Sequence, residues 1–400
     1  MMPYESLYTL KYKAPQDYAA VYRARFAHHD TIHLKLSIHE SPAFICQSAE
    51  LLSKIIAIHK ADKRIRALRG ELPGVAIQQF TDRCLVDEIV LTNDIEGVNS
   101  TRREIRAVLE TLGQNKINLR FYGLVMKYRM LSRSSDIQLN SCQDIRSIYD
   151  DLVLREVVAE NASDAPDGRL FRKHSVSVTN AAQKEIHRGL LPESAIEDAM
   201  QAVLDFIRDD AIDLLIRTAA AHYLIGYIHP FYNGNGRLSR FISSFLLTQE
   251  LDPLIAYRLS YTIKENLKHY DDAFKLCNDP RNCGDLTPFV LWFLDIVLEA
   301  INKLEAALAE RKQDLERYGA LLAADPRFAT KKLYKISYYL VQASLFSESG
   351  ISTQELTCLS GLSHGALSLR LNQLREYGVL LSQRVGREKC HKLDLDKLGT

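Results

Sequence analysis

Apolar positions recur at helical spacing through most of the chain. From about Ala49, LLSKIIAIHKADKRIRAL places Leu51, Ile55, Ile58 and Ile65 on one broad face. TDRCLVDEIVLTNDIEG follows, apolar at Leu85, Ile89 and Ile95, and stops at Gly97, a residue suited to a helix C-terminus. Residues 1–45 differ: they mix two β-like runs, LYTLKYK and TIHLKLSI, with aromatic residues and histidines. The stretch NASDAPDGRLFRKHSVSVTN breaks helical periodicity at Pro166 and Gly168, then alternates through Val176 and Val178, which predicts a hairpin over about 172–190. Helices resume after Pro192 in SAIEDAMQAVLDFIRDD and IDLLIRTAAAHYLIGYI. The second of these ends at His229, because a proline such as Pro230 disfavours the α conformation in the residue before it. LSRFISSFLLTQEL restarts a helix, with Leu238, Phe241, Ile242 and Phe245 inward. TPFVLWFLDIVLEAINKLEAALAERKQDLERY reads as one long helix whose charges thicken toward its end. The last stretch, from about residue 335, reads as three helices and two short strands. The expected fold class is mainly α with a small hairpin. The expected divisions are an N-terminal helical and mixed region at 1–84, a core at 85–305, a helical linker at 306–334 and a small C-terminal domain at 335–400.

Composition narrows the function classes. The 400 residues are 46% apolar and 25% charged, an ordinary globular mix that excludes disordered and fibrous readings. Lysine and arginine number 51 against 50 aspartates and glutamates, so a whole-chain polyanion binder is excluded but a local basic site is not. The basic residues between 101 and 135 (102, 103, 106, 116, 120, 127, 129 and 133) read as a solvated helix face. Seven scattered cysteines contain no C-x-x-C pair, which supports neither a disulfide framework nor a zinc site. The opening MMPYESLYTLKYK lacks an apolar run after a basic start, so no secretory leader is expected. The most apolar stretches are interrupted by Asp213 and Arg217 or by Asp295 and Glu299, so no membrane span is expected. A cytoplasmic protein is the expectation.

The chemistry concentrates in IHPFYNGNGRLSR, Ile228 to Arg240. A helix ends, the chain turns through Gly234 and Gly236, and a new helix starts near Arg237. Glycines let backbone N–H groups approach a ligand closely. The helix start adds unpaired N–H groups and partial positive charge. Arg237 and Arg240, three apart, offer two permanently charged forks suited to phosphate oxygens. At the other rim stands His229, whose unperturbed pKa suits general-base work near neutrality. Each feature alone has a bland reading, since G-N-G is a common turn and a lone histidine is more often a cap or surface residue. Their conjunction suggests transfer of a phosphate-containing group to a hydroxyl. A Walker A loop is excluded, because no Lys-Ser/Thr pair follows the glycines. The dinucleotide fingerprint fails as well: Ser239 replaces its third glycine and a helix precedes the turn.

HPFYNGNGRLSR resembles the signature H-P-F-x-[D/E]-G-N-G-R-x-x-R of the Fic family, whose members mostly transfer AMP from ATP to a protein hydroxyl. Residues from roughly 85 to 300 follow that family's order of inhibitory helix, hairpin flap, core helices and motif. The resemblance implies that the 85–305 region is a Fic-type helical core, and it assigns roles residue by residue. His229 would deprotonate the target hydroxyl, which attacks the α-phosphate of ATP. Phe231 would anchor the loop. Gly234, Asn235 and Gly236 would hold the α- and β-phosphates, mainly through backbone N–H groups, with the Asn235 amide nearby. Arg237 would bind the β- or γ-phosphate. Arg240 would hold the γ-phosphate and so align the α-phosphate for attack. Tyr270 falls near where the family places an aromatic residue by the adenine; Asp271 stands where a second tyrosine is often found. The departure is Asn233, where the family usually has an acidic ligand for Mg²⁺. A neutral carbonyl oxygen there implies weaker binding of Mg²⁺ or Mn²⁺, with a slowed catalyst or a changed donor as the alternative.

LTNDIEGVNS places Thr92 and Glu96 at i, i+4 on one helix face, followed by Gly97. This resembles the family's inhibitory signature [S/T]-x-x-x-E-[G/N], which implies a salt bridge from Glu96 to Arg240. An arginine so occupied cannot also hold a γ-phosphate. The same carboxylate is suited to positioning water for removal of AMP, so a de-AMPylase, or a transferase of another nucleotide group, stays open. The hairpin at 172–190 corresponds to the family's flap, which implies pairing with a target backbone by strand addition.

The C-terminal segment ISTQELTCLSGLSHGALSLRLNQLREYGVLLSQRVGREKCHKLDL has the grammar of a winged helix-turn-helix domain. Ser352 or Thr353 caps a first helix, Gly361 makes the turn, and Ser363 caps a second with Leu367, Leu371 and Leu374 inward. Arg370, Arg384, Arg387 and Lys389 would lie near phosphates if DNA is bound. Residues 351–400 hold seven Lys/Arg against five Asp/Glu, a weak basic footprint that favours a protein-docking or homodimerising module over a DNA reader. A winged-helix DNA-binding regulator with a weakened Fic core is the remaining alternative.

Overall fold

The structure is a computed structural model that describes residues 4–112, 118–131, 137–179, 185–385 and 388–398. It is mainly helical with three small sheets among the described residues. The chain divides into two compact units: residues 1–62 with 87–302, and residues 63–86 with 303–400.

In the first unit the central element is the helix Leu214–Ile228, buried on nearly every side. A helix apolar all round belongs in a core. Asp213 caps it by accepting from the Leu215 N–H at 2.8 Å. The helix Asn235–Thr248 follows after a six-residue turn, starting two residues before the expected Arg237 and so drawing Asn235 and Gly236 into its first turn. Cys142–Tyr149 and Arg155–Glu160 are α-helical, with a π-helical turn at Asp150–Leu154 between them. Such turns shift the helix face by one residue, and here the shifted side chains Val153 and Val157 lie under Gly234. Two strands, Ser177–Thr179 and Glu185–Arg188, pair antiparallel within the predicted hairpin; its residues 180–184 lie outside the described residues. The helix Gly74–Ile95 ends as read, with Gly97 at φ +72°.

The amino-terminal reading needs one correction. TIHLKLSI is a strand, Thr31–Ile38, paired with Ser41–Cys46. LYTLKYK is instead a helix, Leu7–Lys13. Ser6 caps it, accepting from the Thr9 N–H at 3.0 Å, and Leu7 and Leu10, one turn apart, bury together with Phe44.

In the second unit, Lys331–Phe346 precedes a short strand, Ile351–Ser352. Ser352 builds a capping box with Glu355 at the start of Thr353–Ser360. Gly361, at φ +70°, turns the chain into His364–Glu376, which Ser363 caps and which buries Leu367, Leu371 and Leu374. Strands Leu380–Val385 and Glu388–Leu393 complete a three-stranded antiparallel sheet with Glu388–Leu393 in the middle. Arg387 lies outside the described residues. No helix among the described residues is long and apolar enough to cross a membrane.

Candidate active site

The loop after the central helix is fixed from within. Phe231 is fully buried and stacks on Tyr149 with ring centroids 3.6 Å apart, while Phe171 meets its edge at 5.5 Å. Asn235 brackets the same residue: its Oδ1 accepts from the Phe231 N–H at 3.0 Å and its Nδ2 donates to the Phe231 carbonyl at 2.8 Å. The amide expected beside a ligand is therefore spent on holding the loop, and Asn235 offers a ligand its backbone N–H. Gly234 caps the following helix at φ +80°, where a Cβ would also stand 3.0 Å from Val153. The N–H groups of Asn235, Gly236 and Arg237 sit in the first turn, where no intrahelical acceptor exists.

Arg237 is the anomaly of this site. Its side chain is wholly buried, and none of its three guanidinium nitrogens has a hydrogen-bond partner among the described residues. Burial pulls its pKa down, with Glu96 and Glu160 acting the other way. A buried, unpaired guanidinium is costly, and an anion at the helix N-terminus would satisfy it.

Arg240 lies one turn further on, also fully buried. Its Nε donates to Thr92 Oγ1 at 2.7 Å, and its Nη2 donates to the Thr92 carbonyl at 3.0 Å and to Glu96 Oε1 at 2.9 Å. The Glu96–Arg240 pair of the sequence reading is thus present, and Thr92 is a direct partner as well as a neighbour on the face. Gly236 makes room for it, since a Cβ there would meet Glu96 Oε1 at 2.2 Å. Glu96 also acts electrostatically on His229 and on Arg237, raising the pKa of each against the effect of burial.

His229 adopts a left-handed conformation, φ +53° and ψ +62°, where the central helix stops. Its ring is largely withdrawn from solvent, and its pKa is pushed down to about 4 by burial first, then by His187 and Arg172. The imidazole is therefore neutral at pH 7 and able to accept a proton.

Two further groups that were not among the residues read from the sequence, Arg172 and His222, shape the site. Arg172 is fully buried and donates to three backbone carbonyls: Nε to His229 at 2.8 Å, Nη1 to His174 at 2.7 Å and Nη2 to Leu190 at 2.9 Å. It ties the two roots of the hairpin to the carbonyl of His229. His222, buried and held neutral with its pKa at about 3, contacts Ser243 Oγ at 2.9 Å and the Tyr270 hydroxyl at 3.0 Å. Tyr270 packs its ring near Trp292 and Phe274 with its hydroxyl in the field of Arg240. Asn233 takes the Gly234 N–H on its Oδ1 at 2.6 Å, its carbonyl accepts from Tyr149 at 3.0 Å, and its Nδ2 faces Asp164 Oδ2 at 3.5 Å.

Residues 140–247 match the Fic/DOC family. The chain is similar to the protein adenylyltransferase Fic of Drosophila mojavensis, 24% identical over 266 residues that cover 65% of this chain and 46% of that protein. The protein of the same name from Nematostella vectensis is 28% identical over 258 residues, covering 60% and 52% respectively. The chain thus spans about half the length of the curated relatives it matches. A solved Fic family protein from Desulfovibrio desulfuricans G20 shares the fold, with a TM-score of 0.50 at 20% identity over 84% of this chain and 95% of that one.

Proposed function

We propose, since residues 140–247 match the Fic/DOC family, that the chain is a protein adenylyltransferase that moves AMP from ATP to a Ser, Thr or Tyr hydroxyl of a target protein. The observation that carries this reading is the buried, unpartnered guanidinium of Arg237 at a helix N-terminus, with the neutral imidazole of His229 at the other rim of the loop. In the proposed reaction His229 takes the proton of the target hydroxyl. The hydroxyl oxygen bonds to the α-phosphorus as the bond from that phosphorus to the bridging oxygen breaks, and pyrophosphate leaves. The backbone N–H groups of 235–237 and the Arg237 guanidinium hold the phosphate charge, so the chain contributes mainly position and fixed charge. Mg²⁺ or Mn²⁺, when bound, would neutralise phosphate charge. The Asn233 side-chain oxygen fits such an ion as a neutral hard donor, weaker than a carboxylate.

Glu96 is the proposed brake. While it pairs with Arg240, that arginine is closed to a γ-phosphate, so ATP is held out of line. Because the same carboxylate acts on His229, a second use is also supported: positioning water to remove AMP from a modified target. The test is incubation of a lysate with α-labelled ATP and wild type, Glu96→Gly or His229→Ala. Label transferred by Glu96→Gly and lost in His229→Ala is expected. No label with any variant, in Mg²⁺ or in Mn²⁺, would overturn the transferase reading, and a panel of other labelled nucleotides would show whether the donor differs.

The second unit is proposed as a winged helix that docks protein, a second copy included. Its capped helix pair and following hairpin support the fold reading. Leu369 and Leu381, 62% and 49% exposed, support docking over DNA. A filter-binding salt titration separates the two: a steep salt slope would favour DNA.

A further inference from the structure

Asp164 has an unusual position. It closes the short 3₁₀ turn Ala162–Asp164, set up by Asn161, whose Oδ1 accepts from the Ser163 N–H at 3.2 Å. Its Oδ1 accepts from Asn161 Nδ2 at 3.0 Å and its Oδ2 faces Asn233 Nδ2 at 3.5 Å. Both contacts are to neutral amides, and no cationic side chain among the described residues pairs with it. Three residues on, Asp167 is spent differently: its Oδ1 accepts from the Tyr232 hydroxyl and the Lys173 N–H, each at 2.9 Å.

Asn233 separates two opposite demands. On its C-terminal side, the helix start and Arg237 seek an anion. On its other side stands the Asp164 carboxylate. The Tyr149 hydroxyl donates to the Asn233 carbonyl at 3.0 Å and so fixes this residue between them. A polyphosphate seated on this helix start would face a like charge across one residue. Two anionic groups on either side of one residue repel unless a cation bridges them. Magnesium and manganese suit that place, since they take one or two carboxylates, complete their shell with phosphate oxygens and water, and accept a neutral carbonyl poorly on its own.

We propose that Asp164 supplies the charged protein oxygen of a divalent-cation site beside Asn233, completed by the phosphates of the nucleotide and by water. The carboxylate that the motif lacks at Asn233 is thus provided from a separate turn, 69 residues earlier in the chain. This inference rests on the nucleotide-binding reading above. It makes Asp164 and Asn233 exchangeable in charge: one acid is needed, at either position.

The test uses the full chain and a non-hydrolysable ATP analogue. Nucleotide affinity is measured by calorimetry in EDTA, and Mn²⁺ affinity by the paramagnetic resonance of free Mn²⁺ at saturating analogue. Asp164→Asn is expected to weaken Mn²⁺ binding about tenfold or more, and in EDTA, where no cation offsets the repulsion, to leave nucleotide affinity equal to or higher than that of the wild type. Asn233→Asp added to Asp164→Asn is expected to restore Mn²⁺ binding, whereas Asp167→Asn leaves it unchanged. Unchanged Mn²⁺ affinity in Asp164→Asn, or failure of Asn233→Asp to rescue it, overturns the assignment while nucleotide binding stands. Absence of nucleotide binding by the wild type overturns the underlying reading, and the assignment with it.

Discussion

Replacing Glu96 by glycine removes one hydrogen bond and one charge from Arg240 and leaves that side chain anchored. Nε and Nη2 keep their bonds to Thr92, at 2.7 and 3.0 Å. What is lost is the 2.9 Å contact between a fully buried guanidinium and a carboxylate whose side chain is 22% exposed. A hydrogen bond between charged groups contributes about 1.5–3 kcal/mol, with the lower end appropriate where solvent reaches one partner. A γ-phosphate competing for Arg240 must overcome that energy in the wild type and not in the variant. At about 1.4 kcal/mol per factor of ten, transfer should rise roughly 10- to 150-fold. The assay is the initial rate of AMP incorporation from α-labelled ATP at sub-saturating nucleotide. Glu96→Gln keeps an acceptor and drops the charge, so its rate should fall between the two. The melting temperature of Glu96→Gly should fall, since the same contact stabilises the resting fold. A rate for Glu96→Gly within twofold of wild type, alongside that lower melting temperature, would refute the brake: the contact would be structural only.

Other outcomes follow from the same contacts. His229→Ala should lower transfer by about 10²- to 10⁴-fold, the usual contribution of a general base, with nucleotide affinity retained in calorimetry. Since the His229 pKa lies at about 4, its limb of the pH–rate profile should be flat from pH 6 to 8 and fall only toward pH 4; a midpoint near 6.5 would contradict the buried setting. His222, His229 and His391 are depressed to about 3, 4 and 4, chiefly by burial. Their share of stability should be complete above about pH 6.5 and lost as pH falls through those values, visible in thermal melts. Glu88 has the opposite sign: buried between helices, it is pushed up to about 7, so its share is complete below about pH 4.5 and lost as pH rises through 7. Glu88→Gln should therefore melt higher than wild type at pH 8 and not at pH 4.5. Arg172→Lys keeps the charge but not the three-way fork; each orphaned carbonyl costs about 1–3 kcal/mol, so calorimetry should show a lower melting temperature and kcat should fall more than KM changes.

What could be read from the chain was whatever lay contiguous in it. The base, the two glycines and the two arginines fall within twelve successive residues, and their types alone state the chemistry. Thr92 and Glu96 were legible for a related reason, one helical turn apart beside a glycine. The supporting groups were not. Arg172 meets the His229 carbonyl across 57 residues, Asp164 meets Asn233 across 69, and Tyr149 meets Asn233 across 84. No local pattern marks a lone arginine whose acceptors are backbone carbonyls. Asn235 shows another limit: its type suits a ligand, but the nearer Phe231 backbone claims both ends of its amide. LYTLKYK alternates well enough to look extended, and only its cap at Ser6 and the distant ring of Phe44 decide for a helix.

The guanidinium of Arg172 behaves as a mechanical joint. With one prong on each root of the hairpin and a third on the peptide that carries the imidazole, a displacement of the hairpin would act on the backbone that holds that ring. A polypeptide laid along the hairpin would thereby set the aim of the base at the moment it delivers its own hydroxyl. Selection of the substrate and readiness of the catalyst would then be one event.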